Sequence, residues 1–148
     1  MATPGKRAIQ GAARFVDAHT IEVNGQPIRG KKFIIATGGR AAVPPIPGLQ
    51  DAPYKTNYDI FDNDRLPQHL LVLGAGPIGM ELGQAYSRLG AKVTIIGDQV
   101  MPRDEPEAVD VLKRVFAREG IEIIESLVTE VAQQGEQTRL TLKNGQEV

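Results

Sequence analysis

The stretch Leu71-Val-Leu-Gly-Ala-Gly-Pro-Ile-Gly79 decides how this chain is read. An apolar run enters three closely spaced glycines. Residues 80–90 follow with helical spacing, and residues 92–98 form a second apolar run that ends in Asp98. Strand, glycine turn, helix, second strand and acid is the order that holds the pyrophosphate of a dinucleotide. A glycine turn alone is a modest signal. The strand before it, the helix length behind it and the acid beyond it make it specific. Gly74 allows a sharp turn off the strand, Gly76 lets the backbone approach phosphates, and Gly79 lets the helix pack tightly on the sheet. Pro77 suits the first helical turn, where its missing N–H costs nothing. Pro77, Ile78 and Gly79 thus open a helix whose free amides and positive dipole end face the phosphates.

The bulk properties narrow the partners. A chain of 148 residues can hold one core, or one domain plus part of another. A net charge of -1 and a pI of about 6.1 leave no basic footprint for nucleic acid or an anionic membrane. No apolar run approaches the length of a membrane span. The polar start at residues 1–7 does not resemble a signal peptide, so a cytoplasmic location is expected. Cysteine is absent. The chain therefore carries no disulfide, thiolate metal site or dithiol chemistry of its own. His19 and His69 have no partners at ligand spacing and read as structural, so no metal site is expected. Lys31-Lys32 reads as a solvated edge.

Outside the glycine turn the reading is coarser. Residues 1–10 are polar and expected to be loose. Residues 13–17 and 20–23 read as short strands, with Asn24-Gly25 as a turn and residues 26–29 leading out of it. Residues 32–37 (Lys-Phe-Ile-Ala-Thr with a doubled Ile) read as a short buried strand ending in Gly38-Gly39. The run Val43-Pro-Pro-Ile-Pro-Gly48 reads as a stiff extended connector. Residues 58–61 suggest a helical turn. Helices are expected at residues 77–89, stopped by Gly90, and at residues 105–119. For the second helix, Asp104 and Glu107 have capping-box-like spacing, and Val109, Leu112, Val115 and Phe116 give one apolar face. A third strand at residues 121–124 and an antiparallel pair at 127–131 and 138–142 complete the chain. Its two ends echo each other: Thr20-Ile-Glu-Val23 before Asn24-Gly25-Gln26 resembles Arg139-Leu-Thr-Leu142 before Asn144-Gly145-Gln146. A unit used twice and ordinary hairpin composition both account for the echo.

Together these features resemble the flavoprotein disulfide reductases, also called pyridine nucleotide-disulfide oxidoreductases, of the dihydrolipoamide dehydrogenase and mercuric reductase kind. Ile35-Ala-Thr-Gly38 before Pro44-Pro-Ile-Pro-Gly48 is similar to the segment that leaves that family's FAD domain. Gly74–Gly79 with Glu81 and Gly83 is similar to its NAD(P) helix, and Pro102-Arg-Asp-Glu-Pro106 to the acidic element after the second strand. The resemblance covers residues 12–148. The expected fold class is α/β, a Rossmann-like nucleotide-binding domain with a parallel sheet plus a β-meander, truncated at both ends. Residues 1–66 would be a partial FAD-domain segment and connector. Residues 67–148 would be the NAD(P)-binding domain without its last strand. Residues 32–37 are expected to fill that vacant place or to pair with a neighbouring chain.

The resemblance implies hydride transfer from NAD(P)H to FAD, and electrons onward to a disulfide or metal-ion acceptor. In this family the FAD-binding glycine turn, the redox cysteine pair and the dimerisation domain lie in parts not found here. The piece by itself is therefore expected to be catalytically incomplete, with no catalytic residue of its own, and the parent to be a homodimer. Glu81 stands where the family's glutamate lies near the nicotinamide; it also reads as an exposed acid near a helix N-terminus. Ala36, Thr37 and Gly38 match the family's FAD contact, although Gly39-Arg40-Ala41 departs from the usual continuation. NAD-using members place an acid at the end of the second strand. That position is Gly97 here, and Asp98 follows one residue later. No cation stands in residues 97–100, so NAD is favoured, while nearby Arg103 keeps NADP open. Asp98 equally reads as a turn residue. The alternatives are a stand-alone NAD-binding sensor module and an NADH dehydrogenase-like flavoprotein without a redox disulfide.

Overall fold

In the computed structural model, residues 8–148 are described, in two units divided between Arg40 and Ala41. The expectations placed on residues 1–7, a loose start and no signal peptide, lie outside the described residues. In the first unit β1 (Ala13–Asp17), β2 (Thr20–Val23) and β3 (Gln26–Arg29) form an antiparallel meander in that order. Asn24 and Gly25 both take left-handed backbone, at φ 51° and 77°. That is the turn whose twist matches a two-residue hairpin. The backbone of His19 closes the other turn: its N–H donates to Asp17 Oδ1 at 2.7 Å, and its carbonyl accepts from Gly30 N at 3.0 Å. Phe15 and Phe33 meet edge to face at 5.3 Å.

Residues 32–37 correct the sequence reading. They form no strand and are not buried: Ile34 is 95 % and Ile35 73 % exposed. Nor do they complete the parallel sheet, which has three strands drawn from elsewhere. Apolar composition marks a surface that gains by burial, but a strand also needs a partner for its backbone groups. No described strand supplies one.

The second unit is built on β4 (His69–Leu73), α1 (Pro77–Arg88), β5 (Lys92–Gly97), α2 (Pro106–Arg118) and β6 (Glu122–Glu125). The three strands are parallel, in the order β4-β5-β6. Alternation divides their side chains between two cores. Val93 and Ile95, with Leu70, Val72 and Ile123, pack with Met80, Val109 and Phe116 of the helices. Ile96, with Leu71, Leu73 and Ile124, packs with Leu49, Val131, Leu140 and Leu142. That second layer is the hairpin of β7 (Val128–Gln134) and β8 (Gln137–Leu142). Beyond β8, Leu140 and Val148 exchange both backbone hydrogen bonds, and Gln146 O accepts from Leu142 N. The end of the chain turns back through Lys143-Asn144-Gly145, a loop one residue longer than Asn24-Gly25. Gly145 takes left-handed backbone as Gly25 does, but Asn144, unlike Asn24, does not, so the echo in sequence is not repeated in the geometry of the turn.

The start of α2 also differs from expectation. Glu105, not Asp104, is the N-cap, and no side chain caps it. Pro106 is the reason. The residue before proline is held extended, so Glu105 sits outside the helix with ψ 132°. The frame moves by one, and the Asp104–Glu107 spacing no longer matches a capping box. The connector, in contrast, is anchored. Pro47 O accepts from Val131 N at 2.9 Å, and Leu49, which opens a 3-10 turn (Leu49–Asp51), is 4 % exposed. A second 3-10 turn, Ile60–Asp62, receives the Tyr86 hydroxyl on Ile60 O at 2.8 Å.

At the N-terminal ends of the parallel strands a polar chain crosses the sheet. His69 Nε2 lies 2.9 Å from Thr94 Oγ1, which donates to Glu122 Oε2 at 3.1 Å. Thr94 is fully buried. Its single hydroxyl proton goes to the carboxylate, so His69 must donate through Nε2–H. Partial burial, and next the charge of Lys92, lower the His69 pKa below its usual 6.5, against the opposing pull of Glu122. The folded chain therefore takes up this proton less readily than the unfolded one. Stability from this residue is complete above the unfolded value and declines as pH falls through it toward the folded one. Thermal unfolding followed from about pH 8 to about pH 5 should show a loss in the parent that His69→Gln reduces. Parallel curves for the two proteins would mean that His69 titrates alike in both states.

Candidate functional site

The glycine turn lies where β4 hands over to α1. Gly74 takes φ +113° and donates from its N–H to Ile96 O of the neighbouring strand at 2.7 Å. Gly76 is the N-cap of α1, with φ -84° and ψ 179° and no capping side chain. A Cβ built on Gly76 would meet nothing within 4 Å. Gly79 is the opposite case, because its Cβ would collide with the Gly74 carbonyl oxygen. Gly83 continues that close approach, with its Cβ position 2.9 Å from Ile95 Cδ1. Pro77 occupies the first helical position, and the first turn contains no acid. Met80 N bonds back to Gly76 O at 3.0 Å, while the amides of Ile78 and Gly79 are left without an intrahelical partner. The result is an open, uncapped, electropositive helix start beneath bare backbone.

The chain after β5 is fastened to the same turn. Gly97 ends β5 so close to Ala75 that its Cβ would lie 2.7 Å from Ala75 N. Met101 N then donates to Ala75 O at 2.9 Å. Asp98, exposed, lies between these two anchors. The structure therefore brings Gly74, Gly76, Pro77, Ile78, Gly79 and Asp98 to one end of the sheet. Glu81 follows on the exposed side of α1 and forms no ion pair among the described residues. Ala36, Thr37 and Gly38 belong to the first unit and are exposed there. Gly38 takes φ +74° with open space at its Cβ position.

Sequence reading missed the parts of the site made by closure. Gly97 entered it as the place where an acid was absent. Its contact with Ala75 supplies a physical reason: this backbone approach leaves no room for a side chain. Met101, whose amide ties the loop down at φ +46°, had no signal in the local pattern. Among the described residues no group of three or more His, Cys, Asp or Glu could hold a metal ion. No described helix is long and apolar enough to cross a membrane.

Comparison with known proteins assigns the chain to a family. The profile of the pyridine nucleotide-disulphide oxidoreductases matches residues 1–148. The chain belongs to that family. It is 36 % identical over 145 residues to a mercuric reductase of Lysinibacillus sphaericus, covering 95 % of this chain and 27 % of that protein. A mercuric reductase of Bacillus cereus is 36 % identical over 132 residues, covering 88 % of this chain and 21 % of the relative. Among solved structures, the HOCl-induced flavoprotein disulfide reductase RclA from Escherichia coli is similar with a TM-score of 0.78 and 29 % identity, over 95 % of this chain and 33 % of that one. The mixed α/β fold, with its parallel sheet and antiparallel meanders, is thus that of the flavoprotein disulfide reductases. The chain spans about a quarter of the length of the curated relatives it matches.

Proposed function

We propose that this chain is the nicotinamide-dinucleotide-holding part of an FAD-dependent oxidoreductase. In that enzyme, reducing equivalents pass from NAD(P)H to FAD and on to a disulfide or metal-ion acceptor. The observation that carries the reading is the space at Gly76. A side chain there would occupy the place in front of an uncapped helix start, which is where a pyrophosphate fits. The described residues thus suit the group. Gly74, Gly76, Pro77, Ile78 and Gly79 would cradle the phosphates through backbone amides. Asp98 would accept hydrogen bonds from the adenine ribose, and Glu81 would face the nicotinamide end. The dinucleotide supplies the hydride, while these residues bind and orient it. Ala36, Thr37 and Gly38 would border the FAD of the larger protein, which we take to be a homodimer. Residues 67–148 form the nucleotide domain in this reading.

Calorimetric titration with NADH and NADPH tests the reading. NADH should bind more tightly, because the Asp98 carboxylate repels a 2′-phosphate. Asp98→Asn should narrow the difference between the two. Tighter NADPH binding would move the selecting role to Arg103. A folded sample that binds neither would remove the site assignment.

A further inference from the structure

Among the described residues, Asn24 and Met101 are the two that take left-handed backbone without being glycine. Asn24 stands in a hairpin turn that requires it, and asparagine enters that region readily. Met101 has neither reason. Its side chain is long and apolar, and a Cβ in left-handed backbone crowds the following carbonyl. Residues held in this way persist where their surroundings over-determine them, and they gather at functional sites. Three contacts hold Met101. Its N–H donates to Ala75 O at 2.9 Å, and its carbonyl accepts from Asp104 N at 3.0 Å. Its side chain packs on the core that includes Val100 and Val109.

The bond to Ala75 O reaches the glycine turn through one peptide plane. The peptide between Ala75 and Gly76 is trans and planar, so its carbonyl and its N–H point in opposite directions. Glycine on one side of the plane leaves that φ nearly free, so rotation has to be prevented from outside. With its carbonyl held by Met101, the plane turns the Gly76 N–H away from the loop after β5. Among the described residues that N–H donates to no other group. It stands at the uncapped start of α1, beside the open space at Gly76.

We propose that Met101 is a positioning residue for the dinucleotide: its left-handed backbone aims its N–H at Ala75 O and so presents the Gly76 N–H to the pyrophosphate. This role rests on the nucleotide reading of the glycine turn. Binding then depends on the backbone conformation at residue 101, and not on the methionine side chain as such.

The test separates backbone from side chain. Met101→Gly and Met101→Asn keep access to the left-handed region and lose the apolar side chain. Met101→Val keeps an apolar side chain but leaves that region, where a β-branched residue is an outlier. With thermal unfolding confirming the fold, calorimetry should show Met101→Val binding NADH about tenfold more weakly than the parent, the scale of one lost hydrogen bond to a charged group. Met101→Gly and Met101→Asn should both bind more tightly than Met101→Val. Should Met101→Val not fold, Met101→Ala against Met101→Gly makes the same comparison. Those two differ by one methyl and by left-handed freedom, and the glycine variant should bind more tightly. In the nucleotide-free protein the NMR amide resonance of Gly76 reads the peptide plane directly. It should shift in Met101→Val and stay nearer the parent position in Met101→Gly. A parent that binds no NADH removes the nucleotide reading, and the Gly76 resonance then decides separately whether Met101 holds the plane. NADH affinity that follows the apolar side chain, with Met101→Val above Met101→Gly, overturns the inference, as does a Gly76 resonance unmoved by Met101→Val.

Discussion

Gly76→Ala should weaken nicotinamide-dinucleotide binding by about tenfold or more, equivalent to ~1.4 kcal/mol, and leave the fold intact. Gly79→Ala should damage both. The two glycines are three residues apart and do opposite things. The backbone of Gly76 is ordinary extended chain, which alanine adopts freely. Its new methyl would project into open space, at a cost below about 1 kcal/mol for a weaker N-cap. That open space is where the phosphates are proposed to lie. At Gly79 the methyl meets the Gly74 carbonyl oxygen. This is backbone that cannot rotate aside, so α1 must lift from the turn at roughly 1–3 kcal/mol. Thermal unfolding and NADH titration of both variants separate the two effects. A folded Gly76→Ala protein that binds NADH as tightly as the parent would show that the phosphates do not lie over this turn.

The second large effect concerns Gly48. Its φ is +78°, and its Cβ position falls on the Val131 carbonyl oxygen. The hydrogen bond from Val131 N to Pro47 O holds the two backbones together there. Gly48→Ala therefore meets left-handed strain of about 1–2 kcal/mol and a backbone collision of about 1–3 kcal/mol. Gly120 is the control. It takes φ +76°, but nothing lies within 4 Å of its Cβ position, so Gly120→Ala meets the strain alone. Circular dichroism should give a Tm lowered much further by Gly48→Ala than by Gly120→Ala. Equal losses would mean that the connector is not seated on β7.

The glycine turn was legible because its determinants are local. Gly74, Gly76 and Gly79 act within six residues, and the strand before them and the helix after them follow from short-range periodicity. The hairpin at Asn24-Gly25 was legible for the same reason. Two readings failed, each on a physical point. Residues 32–37 carry the composition of a buried strand, yet pairing is a property of two segments and composition reports one. The cap of α2 was misread by a single position, because the restriction that Pro106 places on Glu105 outranks a favourable side-chain spacing. Gly97 and Met101 belong to the site through contacts with Ala75, which is more than twenty residues away in sequence.

By itself the sequence determined the family, the order of strand, glycine turn, helix and strand, the three glycines of that turn and the two hairpin turns. These are set by steric freedom at single residues and by alternation along short runs. Only the tertiary structure decided that residues 32–37 join no strand among the described residues and that Ile34 and Ile35 are exposed, that Gly48 is pressed onto Val131, and that Gly97 seats against Ala75. It also decided that His69, Thr94 and Glu122 join across three strands. Each of these depends on which distant backbones meet, and chain closure sets that rather than local preference.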